Sequence, residues 1–186
     1  MKTGIANLDG IYNREALLMA QDDSLVLVLG GPLAAMDKLK MQDLVLSCYT
    51  IAEFHPTTGG MSAIKNELHL KQFSGSRLIS YIADYEQALN TMQKGQDLQY
   101  QNIRDYLQGF FSQHLTAANL DGRAFQFKQP LDSQLLNVTS ADLAKLATQV
   151  EIIKITNMYL KLFNRTLKEK AEKLTIFIKG EYQTEK

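Results

Sequence analysis

Two acid–histidine pairs, Glu53-Phe54-His55 and Glu67-Leu68-His69, are the residues that come nearest to metal chemistry in this chain. A di-metal site in a helical core needs a Glu three residues before a His, because that spacing aims both ligands inward. Here the spacing is i, i+2, which on a helix turns the side chains about 200° apart. His69 or His114 could instead serve a haem or a single ion. His114, however, follows Phe110 and Phe111 on what reads as an inner face, where a hydrogen-bonded core histidine is the simpler account. Cys48 and His55 lie two helical turns apart, about 10 Å, whereas a thiolate–imidazole pair needs about 3 Å. Cys48 falls in an apolar stripe and reads as a small buried hydrophobe. As the chain's single cysteine, it also excludes an internal disulfide. Leu25–Leu29 followed by Gly30-Gly31-Pro32 imitates a strand and phosphate loop, but neither nucleotide-binding fingerprint is completed, and no nucleophile elbow occurs. No catalytic residue, cofactor-binding residue, metal ligand or cofactor is therefore assigned.

One constellation could recognise a small molecule. Arg77, Tyr81 and Tyr85 fall at i, i+4 and i+8, a helical ridge that could clamp an anionic aromatic ligand. Tyr100 and Arg104 lie on the next predicted helix and would complete a pocket between the two. The competing account places each Tyr at the core boundary with its hydroxyl in water and Arg lying over it.

The elements that must position these residues are helical. Residues 11–21 read as a short helix broken or bent at Asp22, Asp23 and Ser24. Leu25–Leu29 is a buried run that periodicity leaves open between strand and helix. Pro32 suits the first turn of a helix reaching about Phe54, and 55–60 is a loop. A helix capped by Ser62 follows, weakened at Ser74-Gly75-Ser76 and stopped at Gly95. Another runs from about Asp97 to Leu115. Residues 116–138 are irregular, and the alternation at 124–128 allows a short strand paired with 25–29. Ser140 is expected to cap the last helix.

That last helix, over 140–179, carries the strongest pattern in the chain. With Leu143 at heptad position a, the a positions continue as Val150, Asn157, Asn164, Ala171 and Ile178. The d positions are Leu146, Ile153, Leu160, Leu167 and Leu174. A 3.5-residue apolar repeat marks a packed seam of coiled-coil type, and Asn at a fixes register or strand number at some cost in stability. The seam suits either an intermolecular zipper or the chain's own helices. A second stripe, Ile152, Ile155, Tyr159, Leu162 and Phe163, favours the latter, since a helix apolar on two sides is normally surrounded by its own protein.

The 186 residues suit a single helical domain, and the apolar fraction of 45% supplies a sizeable core. Twenty basic groups balance twenty acidic ones, which argues against nucleic acid as a partner. Residues 139–179 hold eight basic and four acidic groups, so an acidic partner at this helix is conceivable, although a solvated face is commoner. No stretch is long and apolar enough to span a bilayer, and the N-terminus lacks a signal core. The expectation is a soluble cytoplasmic protein, with signal-less secretion or a trimmed chain as alternatives. The expected fold is all-α, a bundle of four to five helices with a long C-terminal helix and at most one short β-hairpin. The expected function is a non-catalytic protein-interaction module, acting on a protein partner or by self-association. A ligand-sensing bundle around Arg77, Tyr81 and Tyr85 is the alternative.

Overall fold

Every element of regular structure among the described residues is helical. The computed structural model describes residues 2–32, 44, 47, 48, 50–56, 77–114 and 138–183. Helix α1 spans Lys2–Leu29, α2 Arg77–Asn102, α3 Gln108–His114 and α4 Ser140–Gln183. A π-helical turn, Ile103–Leu107, joins α2 to α3 without a break. The described residues thus hold three continuous helical runs, fewer than the four or five expected. The Ser62 cap, the Ser74–Ser76 weak point and the strand at 124–128 lie outside them.

Four expectations are corrected. Helix α1 does not end at Asp22, and Leu25–Leu29, open between strand and helix in the sequence, is its last stretch. The polar triplet is accommodated because Asp22 finds buried partners and Ser24 Oγ donates to Ala20 O at 2.8 Å. The helix end comes at Gly30 and Gly31, whose amides close onto Val26 O and Val28 O. Gly95 does not stop its helix. It lies inside α2, where a Cβ would sit 2.9 Å from Leu160 Cδ2 and 3.1 Å from Phe163 Cδ2. The glycine permits a close helix approach, which outweighs its poor helix propensity. Residues 50–56 carry no regular structure, so the helix expected to reach Phe54 ends earlier. The cap of α4 is Thr139 rather than Ser140. Thr139 Oγ1 accepts from the Asp142 amide at 3.2 Å, and Asp142 Oδ2 accepts from the Thr139 amide at 2.9 Å. This is a reciprocal capping box.

The chain divides into two compact units, to which α1 and α4 each contribute. The first comprises Met1–Arg14, Ala52–Gln96 and Tyr159–Lys186. Its core joins Leu8, Phe54, Ala88, Met92, Leu160 and Leu167, with a further cluster of Leu78, Ile82 and Leu174. The second comprises Glu15–Ile51 and Asp97–Met158. Its core is larger: Leu25, Leu29, Cys48, Ile103, Leu107, Phe110, Leu143, Leu146, Val150 and Ile153. The π-turn belongs here and buries both of its end residues, Ile103 and Leu107.

Candidate functional site

The heptad seam of α4 faces the chain's own helices. From Leu143 to Leu174 every a and d residue is buried. Its two asparagines are satisfied within the chain. In the second unit, Asn157 Nδ2 donates to Asp22 Oδ2 at 2.9 Å, and Asn157 Oδ1 accepts from Gln99 Nε2 at 2.8 Å. Cys48 Sγ donates to Asp22 Oδ1 at 3.1 Å, and Asn102 Nδ2 donates to Thr156 Oγ1 at 2.8 Å. In the first unit, Asn164 Nδ2 donates to the Leu8 carbonyl at 3.0 Å. Each asparagine therefore fixes α1 against α4 at one height within its own unit. Gln99 Oε1 and Asn164 Oδ1 are buried without a hydrogen-bond partner among the described residues, a desolvation cost that the network carries.

Burial raises the pKa of Asp22, against the lowering effect of its bonds to Cys48 and Asn157. Burial also pushes the Cys48 thiol far up, with the Asp22 carboxylate adding to the effect. Such a thiol holds its proton and is a poor nucleophile. Sequence reasoning recognised Cys48 as buried but read Asp22 as a helix breaker. Its position three residues before Leu25 on the inner stripe of α1 was the available signal.

Arg77, Tyr81 and Tyr85 belong to the first unit, whereas Tyr100 and Arg104 belong to the second. Tyr81 packs on Phe177 with ring centroids 5.1 Å apart. Tyr85 is half-buried among both apolar clusters of its unit, and burial raises its hydroxyl pKa. Arg104 bonds to Asp105 at 2.9 Å. Glu53 and His55 do meet, at 2.7 Å, because their segment is not helical, but both are exposed. His114 is buried, 4.7 Å from the Phe110 ring and 4.0 Å from Asp142. With Asp105, Tyr106 and Lys145 it borders a small polar groove. The Asp142 carboxylate there is held below its ordinary range by the Thr139 hydroxyl and amide. Among the described residues no group of three or more acidic, His or Cys side chains is placed to hold a metal ion. No helix among them is long and apolar enough to cross a membrane.

The basic excess on α4 is largely answered inside each unit. Lys154 pairs with Asp23 in the second. In the first, Lys168 pairs with Asp9 at 2.6 Å and Lys170 with Asp84 at 2.6 Å. This leaves less positive charge for an acidic partner than the count suggests.

The outer side of α4 overturns one expectation. The second apolar stripe is not enclosed by the described residues: Ile152, Ile155, Tyr159 and Leu162 are 36–50% exposed, and Met158 joins them at 49%. Only Phe163 turns inward, against Gly95. Five large apolar side chains thus share one exposed helix face, with Thr148, Thr166, Lys145 and Glu169 beyond its two ends. The chain matches no family model, no curated protein and no solved structure.

Proposed function

We propose that the chain is a non-catalytic protein-interaction module, of the adaptor, regulator, chaperone or secretion-associated kind, built as a helical bundle. Its last helix presents the partner surface on its outer side, while the a/d seam, Leu143 through Leu174, holds the bundle together. One observation supports this reading above the rest: the exposed run Ile152, Ile155, Met158, Tyr159 and Leu162 on α4. Scattered apolar residues on a surface are ordinary, but a contiguous patch marks a place where another surface docks. The buried side chains of Asp22, Cys48, Gln99 and Asn157 are hydrogen-bonded to one another, which suits a scaffold better than an active site. The alternative, a ligand-sensing bundle around Arg77, Tyr81 and Tyr85, loses support from the packing of Tyr81 on Phe177.

The test is photo-crosslinking in the living source cell. A photoreactive residue at Ile155 or Leu162 is expected to give the same adduct, identified by mass spectrometry. One at the exposed Gln101 is expected to give none. Absence of any adduct specific to α4 contradicts the module.

A further inference from the structure

The outer face of α4 carries a second heptad seam, short and self-complementary. In the register that places Leu143 at a, its c positions are Lys145, Ile152, Tyr159 and Thr166. Its f positions are Thr148, Ile155, Leu162 and Glu169. The steps from c to f and from f to c are three and four residues, the same alternation that makes an a/d seam. All eight side chains are exposed.

We propose that this face is covered by a second copy of the chain, with its α4 running antiparallel about a twofold axis beside residue 157. This inference rests on the module reading and names its partner. In an antiparallel pair each c residue meets an f residue of the other helix. The layers are then fixed. Ile155 meets Tyr159 of the second copy, and Ile152 meets Leu162. Thr148 meets Thr166, and Lys145 meets Glu169. The twofold repeats each layer, giving four apolar layers at the centre, a Thr–Thr layer on either side, and a Lys–Glu layer closing each end.

The flank agrees. The b positions Glu151, Met158 and Arg165 lie on one edge of the face, and the same twofold brings Glu151 beside Arg165 of the second copy and Met158 beside itself. A closed isologous contact requires that one surface be its own complement, and the order of charges along this face meets that condition. A parallel pairing does not: it would set Lys145 on Lys145 and Glu169 on Glu169. Among the described residues of one chain, Glu169 makes a loose contact with Arg165, at 3.9 Å, and Glu151 a 3.6 Å contact with Lys154. Such exposed pairs exchange partners at little cost.

The test uses the full chain with single exposed cysteines. Cys48 is buried, and the unmodified chain serves as control. Thr148→Cys and Thr166→Cys are prepared separately and then mixed, with a short bis-maleimide as cross-linker. The expected result is covalent dimer in the mixture only. In the antiparallel pair two copies of position 148 stand about 27 Å apart along the axis, at 1.5 Å per residue. Cross-linking of Thr148→Cys with itself, or none in the mixture, overturns the proposal. As a second readout, Lys145→Glu is expected to weaken dimerisation about tenfold, and Lys145→Glu with Glu169→Lys to restore it. Failure of the double variant to restore pairing rejects the register. If the mixture gives no cross-link while Ile155 gives an adduct with a different protein in cells, self-pairing is rejected and the module stands. If neither appears, both fall.

Discussion

Asn157 shows how one polar residue sets the helix register in the second unit. Its amide bridges Asp22 and Gln99, both buried. In an intermolecular zipper, Leu at this position would add stability. Here Asn157→Leu leaves an Asp and a Gln buried without their partner, and we predict a loss of about 2–3 kcal/mol in urea denaturation. Asp22 supplies a pH signature. Burial raises its folded pKa above the unfolded value, so the folded state keeps this proton to higher pH. Its stabilising contribution is complete below the unfolded pKa and is lost as pH rises through the raised folded value. Relative to Asp22→Asn, the unmodified chain should therefore lose stability as pH rises above the ordinary carboxylate value of ~4. A difference that stays flat, or grows with pH, contradicts this. Cys48, held protonated beside the same carboxylate, should resist a thiol reagent at neutral pH and react promptly once urea unfolds the chain.

At the scale of elements, the strongest periodicities were legible and the punctuation was not. The a/d repeat of the last helix placed its inner face correctly because burial enforces a 3.5-residue pattern over many turns. Gly95 and Asp22 were misread because each is locally unfavourable to a helix and is retained for a contact distant in sequence. Gly95→Val tests this for α2, since the added methyls meet Leu160 and Phe163. A loss of about 2 kcal/mol in thermal or urea unfolding is expected, and unchanged stability would contradict the close approach. The α4 cap was misplaced by one residue because Thr139 and Ser140 are both competent, and only the reciprocal Asp142 bonds distinguish them. The outer stripe of α4 was visible as apolar spacing. Its exposure was not, because periodicity reports a face without reporting what covers it.

At the scale of the whole molecule, the last helix carries two apolar faces, one buried and one exposed. The inner seam is filled by the chain's own side chains in both units. The outer face is exposed among the described residues and carries charges of opposite sign at its ends, and we propose that a second copy covers it. The most direct measurement is the mass in solution by light scattering, across a range of concentrations, for the unmodified chain and for Ile155→Glu. The substitution lies at an exposed site and should leave helicity intact. We predict a mass rising with concentration toward twice the 21.0 kDa chain, and a single-chain mass for Ile155→Glu at every concentration. A single-chain mass for both, or a dimer indifferent to Ile155→Glu, contradicts self-pairing through the outer face of α4.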